Sequence, residues 1–223
     1  VGNQIFSQCT SLEEVTFPAI TKLGENTFQG ATSLRKVTFD ADAETIGQYT
    51  FAYSGVQQVV IGGKVTKIGE GAFYYARALK TVALPDTIEE IGFGAFEGTR
   101  ALKSLANLDK VRKIGVQAFY GSGLEGALNL AKAEEIGNFA FASADINTSA
   151  KYTSVSIPNA KTIGNYAFFG GSQETATISP CCLIPNPKPP WPTALTPCTW
   201  RVNNSVCVPR RETLPSPRST RPS

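Results

Sequence analysis

Apolar residues recur along this chain in two alternating formats. The first is a hexapeptide, aliphatic-Gly-x-x-(Ala/Thr)-Phe, at 23–28, 46–51, 68–73, 91–96, 114–119, 136–141 and 163–168, with a degenerate copy at 1–6. Its closing phenylalanines, from Phe6 to Phe168, are spaced by 22, 23, 22, 23, 23, 22 and 27 residues. The second format is Leu-x-x-Val-x-(Phe/Leu), as at 12–17, 34–39 and 79–84. Val-x-Phe has a period of two, so both apolar side chains fall on one face of a short strand. Val, Thr, Phe and Ile suit strands. Pro18, Pro85 and Pro158 follow the strands and are expected to end them, because proline donates nothing to a ladder. A fixed period of this length marks a solenoid.

One unit cannot bury its five or so apolar groups alone. Stacked units can, because parallel strands lie about 4.8 Å apart and their apolar faces merge. Eight copies would make a ladder of about 35 Å. The glycine of the hexapeptide occurs in every copy. It implies either a tight turn with positive φ or close contact between neighbouring coils. The phenylalanine is expected to cap its own coil and stack on the next.

The combined pattern, Leu-x-x-Val-x-(Phe/Leu)-Pro with Ile-Gly-x-x-Ala-Phe-x-x-(Cys/Ala)-x-x-Leu, resembles the BspA-like, or treponemal-type, leucine-rich repeat. Cys9 fits the cysteine position, and Ala31, Ala76 and Thr99 replace it elsewhere. The asparagine ladder of the common leucine-rich repeat does not appear. The resemblance implies a right-handed solenoid with a parallel β-ladder on the concave side and short turns or 3-10 helices on the convex side. It also implies a surface or secreted location, roles in adhesion and host contact, and no enzymatic activity in the repeats. Repeats are expected over 1–179, with about eight copies of 22–23 residues, followed by a Pro/Cys/Arg-rich disordered tail over 180–223.

Composition narrows the chemistry. The 223 residues carry 21 basic and 18 acidic side chains, and no histidine. Without histidine, Ser-His-Asp and Cys-His arrangements are excluded and the commonest metal ligand is missing. Residues 1–171 are near neutral, with 15 Lys or Arg and 16 Asp or Glu, so the repeats lack the basic footprint of a nucleic-acid binder. No apolar run approaches the 18 or so residues of a membrane span. Acidic residues such as Glu13, Glu14, Glu89, Glu90, Glu134 and Glu135 fall at solvent positions and read as a solvated face. No catalytic, cofactor or metal residues are assigned. Residues 121–126 match G-x-G-x-x-G but align with an ordinary turn of the repeat, with no βαβ context. The chain starts inside a repeat and reads as a fragment, so missing targeting signals carry no information.

The strand positions facing away from the core form two columns. One passes through Glu14, Lys36, Gln58, Thr81, Ser104, Ala127, Ser154 and Thr175, the other through Thr16, Thr38, Val60, Ala83, Ala106, Asn129, Ser156 and Thr177. From these, Lys36, Thr38, Gln58, Val60, Thr81, Ala83, Ser104, Ala106, Asn129 and Ser156 are the candidate ligand-binding face. They are small and mostly uncharged, which suits a protein or glycan ligand taken up by a monomer. The alternative is a structural spacer presenting another domain. Copy three is one residue short before its strand, while copies four and five are regular. Copy seven carries an insertion, 144–152, expected to bulge from one edge, and within it 147–149 reads as a glycosylation sequon.

After Ile178 the pattern stops. Eleven of the 14 prolines and four of the five cysteines, Cys181, Cys182, Cys198 and Cys207, lie in the tail. Two disulfides are possible there in an extracellular setting. A capping unit would keep apolar periodicity to cover the last coil. The tail has none, so it is expected to arise from a shifted reading frame or an intron, leaving the ladder uncapped near 176–178. The nucleotide sequence decides this. Repeat copies in an alternative frame downstream of codon 179, or intron signals there, are the expected result, and neither being present would make the tail a genuine Pro-rich stalk.

Overall fold

The computed structural model describes residues 2–20, 23–41, 44–143, 152–170, 175–178 and 199–200. The chain winds as a parallel β-solenoid with almost no helix. A regular coil contributes a long strand, a two-residue strand ending at the aliphatic before glycine, and a turn carrying the phenylalanine. The long strands Glu14–Ile20, Lys36–Ala41, Gln58–Ile61 and Thr81–Ala83 form one sheet, all parallel and in sequence order. The short strands form a second ladder of six, from Thr45–Ile46 to Thr162–Ile163. Gly126–Asn129, Tyr152–Ile157 and Thr175–Ile178 form a third sheet.

The turns bond from coil to coil as well. Each phenylalanine N–H donates to the carbonyl of the Thr or Ala one coil on: Phe28 to Thr50, Phe51 to Ala72, Phe73 to Ala95, Phe96 to Ala118 and Phe119 to Ala140, all at 2.7 Å. The rings of Phe6, Phe28, Phe51, Phe73, Phe96, Phe119, Phe141 and Phe168 therefore stack in one column. Successive centroids are 4.9–5.4 Å apart and the planes lie within 12° of parallel. Each such pair contributes about 0.5–1.5 kcal/mol beyond the area it buries. Val37 and Phe39, Val59 and Ile61, and Val82 with Leu84 just past its strand fill the core, as the period of two requires.

The two explanations for the repeated glycine separate cleanly. A Cβ at Gly24, Gly47, Gly69, Gly115, Gly137 or Gly164 would fall 2.2–2.9 Å from backbone atoms of the preceding coil, and one at Gly92 would fall 3.0 Å away. The glycine is there for close approach. Positive φ occurs two residues later, and side chains occupy it at Asn26 (54°), Tyr49 (50°), Gln117 (55°), Phe139 (56°) and Tyr166 (57°).

Four sequence expectations need correction. First, Pro18 does not end its strand, which runs Glu14–Ile20. Its register against Lys36–Ala41 shifts between Phe17 and Ile20, an irregularity at which proline's missing N–H is tolerated. Pro85 and Pro158 do lie just past their strands. Second, copy five is not regular. Asn107 occupies the inward position held by Phe39, Ile61 and Leu84 in the earlier copies. A polar amide cannot be buried there without a partner, so the chain turns. Asn107 adopts φ 63°, its Nδ2 donates to the Leu84 carbonyl at 2.7 Å, and a 3-10 turn, Leu108–Lys110, follows. Leu108 fills the vacated core place at 6 % exposure. The expected single ladder is thereby split into two sheets.

Third, Tyr152 is not part of a bulging loop. It opens the strand Tyr152–Ile157, is buried, and packs edge-on to Phe141 at 6.3 Å. The rest of the insertion, 144–151, lies outside the described residues. Fourth, the last strand is not bare. Thr199–Trp200 pairs antiparallel with it, Ala176 opposite Trp200 and Thr177 opposite Thr199, so edge N–H and C=O groups that would otherwise stand open find partners in the same chain. The remainder of the tail, with its four cysteines, lies outside the described residues.

Phe96→Ala removes a fully buried central ring of the column and is expected to cost about 3–5 kcal/mol in denaturant unfolding. A loss below about 1 kcal/mol would be incompatible with this register. Gly115→Ala, whose new Cβ would meet the Gly92 carbonyl carbon at 2.6 Å, is expected to destabilise although it adds a single methyl group. Thermal melts of the two variants check both statements.

Candidate binding surface

The outward positions of the long strands line up as the pattern requires. Glu14 pairs with Lys36, Lys36 with Gln58 and Gln58 with Thr81. Beside them Thr16 pairs with Thr38, Thr38 with Val60 and Val60 with Ala83. Lys36, Gln58, Thr81 and Ala83 are exposed and Thr38 and Val60 half-buried. These six candidates form one continuous patch. Asn129 and Ser156 are register partners in the other sheet, next to Ala127 and Ser154. Ser104 and Ala106 are exposed but belong to no strand, because of the Asn107 turn. Thr175 and Thr177 hold their register against Ser154 and Ser156. The candidate face is thus two patches with an interruption at copy five. A cavity of about 160 Å³ opens at the interruption, between Ser104, Asn107 and Asp109 on one coil and Glu125, Ala127 and Asn129 on the next.

The acidic residues read as a solvated face are exposed or half-buried, and most have cationic partners one coil away. Lys67 Nζ lies 3.1 Å from Glu90 Oε1, and Lys113 Nζ 3.7 Å from Glu135 Oε2. Arg112 and Lys161 converge on Glu134 at 2.8 and 2.5 Å. Glu90 is the register partner of both Lys67 and Lys113, so charge alternates down the short-strand ladder. Hydrogen bonds from Lys161 and then Arg112 hold the Glu134 carboxyl down at about 2. The sequence carried this signal in its cations, spaced one period from the acids. A charged cavity of about 380 Å³ runs beside these residues, between Asp86, Glu89, Lys110, Arg112 and Glu134. Its two signs largely neutralise each other.

The turn side carries a feature absent from the sequence expectations. Tyr49, Tyr53, Tyr74 and Tyr75 form a contiguous cluster, with centroid separations from 4.7 to 6.2 Å. The Tyr49 hydroxyl donates to Glu70 Oε1 at 2.8 Å, which raises its pKa. Burial, and then the nearby Glu97 carboxylate, push Tyr74 up to about 12. Glu97 itself is 8 % exposed, and burial raises its pKa. A second aromatic group, Phe139, Tyr166 and Phe169, lies farther along. The available signal was the concentration of aromatics at the variable positions flanking the repeat phenylalanine. Among the described residues no group of three or more His, Cys, Asp or Glu side chains is placed to hold a metal, and no helix is long and apolar enough to cross a membrane.

A family model described as BspA type leucine rich repeat region matches residues 1–125 and 66–182, with six copies. No curated protein matches the chain. Among solved structures, a leucine-rich repeat protein of T. pallidum is 26% identical, with TM-score 0.40 over 60% of this chain and 70% of its own. One from Bacteroides ovatus is 20% identical, with TM-score 0.45 over 76% and 56%. A leucine rich cell surface protein of Faecalibacterium prausnitzii is 22% identical, with TM-score 0.41 over 75% and 61%. The chain therefore spans less than two thirds of the last two.

The Glu134 cluster makes a pH prediction. Its carboxyl is depressed in the folded state, so its stabilisation is present above the unfolded carboxylate range, about 4.3, and is lost as pH falls through about 2. Wild type is expected to exceed Glu134→Gln in stability at pH 7, with the gap closing between about pH 4 and 2. Because the group is exposed, the gap should be small and should shrink in high salt. Urea titrations at pH 7, 4 and 2 measure it.

Proposed function

This chain belongs to the BspA-type leucine-rich repeat family, and from that premise we propose that it is a non-enzymatic binding module of a cell-surface or secreted protein, taking a protein or glycan ligand on the outward face of its long strands. The observation that carries the reading is the in-register patch of Lys36, Gln58 and Thr81 beside Thr38, Val60 and Ala83. Its backbone N–H and C=O groups are committed to the ladder, so the patch is held rigid and little conformational entropy is lost when a partner docks. The side chains are short and, apart from Lys36, uncharged. That favours shape matching and hydrogen bonding over phosphate recognition, which needs clustered Lys and Arg. An adhesin or surface antigen is the role that fits best. The same rigidity supports a second reading, a spacer that presents another domain.

Gln58→Arg with Thr81→Arg places two bulky cations on adjacent exposed positions of this patch. In a host-protein pull-down and on a glycan array, the double variant is expected to lose ligands that the wild-type chain retains, with unchanged far-UV circular dichroism. Full retention would remove the strand face from consideration.

A further inference from the structure

The third repeat is one residue short between its phenylalanine and its strand. Gly55 stands there where Thr32 and Arg77 stand in the flanking coils. A Cβ on Gly55 would fall 1.9 Å from the Thr32 carbonyl oxygen, so the short coil is drawn against its predecessor. The Gly55 N–H donates to the Ala31 carbonyl at 3.0 Å, which fixes that approach. Beside it lies a hollow of about 330 Å³ lined by Thr32, Tyr53, Ser54, Gly55, Tyr75 and Arg77.

Two features of the hollow point to a ligand. The rings of Tyr53 and Tyr75 stack with centroids 5.9 Å apart and planes 24° from parallel, and Tyr53 is 54 % exposed. Tyr53, with Tyr75 stacked behind it, is an aromatic wall open to solvent. The guanidinium carbon of Arg77 lies 5.3 Å from the Tyr75 centroid. Among the described residues Arg77 enters no ion pair, whereas Arg35 and Arg112 each face a carboxylate one coil away. Its backbone N–H donates to the Tyr75 carbonyl at 2.8 Å, which anchors the base of the side chain. The sixth repeat has the same shortening at Gly123, with a Cβ clash of 2.1 Å against the Arg100 carbonyl oxygen. Gly121 and Ser143 hold the places of the two tyrosines there, so the shortening alone builds no such wall.

We propose that this hollow is a second binding site, separate from the strand face, for a carboxylate-bearing pyranose of a glycan: a hexuronate or a sialate. The volume falls within the range of small-ligand sites. The negative face of an aromatic ring attracts the weakly positive C–H edges of a sugar ring laid on it. The planar guanidinium fork matches a carboxylate in a bidentate, charge-assisted pair. Its position over Tyr75 holds it in place before the ligand arrives. A neutral sugar would use the wall and leave Arg77 unanswered. A peptide carboxylate would answer Arg77 and leave the wall without a flat partner.

Calorimetric titration of the full chain with methyl glucuronide and with sialyllactose tests the assignment, against methyl glucoside and lactose as neutral partners and N-acetylglutamate as an acid without a sugar ring. At least one acidic sugar is expected to bind about tenfold or more tightly than its neutral partner. Arg77→Gln and Tyr53→Ala should each lose about tenfold or more, with unchanged far-UV circular dichroism. Gln58→Arg with Thr81→Arg should bind the acidic sugar as wild type does, so failure of the strand-face reading and failure of this one are told apart. The proposal is overturned if neither acidic sugar binds, if neutral and acidic partners bind alike, if Arg77→Gln is unaffected, or if N-acetylglutamate binds as tightly as the acidic sugars.

Discussion

Adjacent coils lie close enough for their backbones to bond along three lines at once: the long strands, the short strands and the phenylalanine turns. That spacing depends on the glycine after each core aliphatic, where a single methyl group would overlap the preceding coil. Once coils sit at this separation, the rest follows. The phenylalanine rings fall within stacking distance, the valines and leucines merge into one core, and buried backbone polar groups find partners in the neighbouring coil. No single coil could satisfy these demands, which is why the unit of stability is the stack.

The same spacing gives the surface its order. A side chain on one coil meets its counterpart a full repeat away. Opposite charges at equivalent positions therefore form ion pairs such as Lys67–Glu90 and Arg112–Glu134, while equivalent aromatics form stacks such as Phe139–Tyr166. Alternating charge also discourages a slip by one coil, which would bring Glu90 against Glu135 and Lys67 against Lys113. Exposed pairs of this kind contribute little energy each. Their role here is to disfavour the wrong alignment.

The departures from the repeat are where the surface gains individual features. Asn107 interrupts the strand face and leaves a cavity. Gly55 shortens a turn and leaves a hollow beside two tyrosines and Arg77, which lies over one of them. In both places one residue breaks a rule that its neighbours obey, and the stack absorbs the defect because the coils on either side keep their bonds.

The solenoid, its inward columns, the phenylalanine stack and the outward strand positions outside copy five were legible in the sequence, because each is a consequence of period: an apolar residue recurring every 22–23 positions has one way to be buried in a stack. Period alone left the repeated glycine ambiguous between turn and contact, since both need a residue without a side chain. Only the packed coils, with positive φ carried by Tyr49, Phe139 and Tyr166 instead, assigned it to contact. Likewise the turn at Asn107, the strand continuing through Pro18 and the burial of Tyr152 were decided in three dimensions. Each depends on what the neighbouring coil offers: the Leu84 carbonyl, a register shift against Lys36–Ala41, and space against Phe141. The tyrosine wall with Arg77 belongs to the same class. Its members lie up to 24 residues apart in sequence, and they meet because successive coils set equivalent positions side by side.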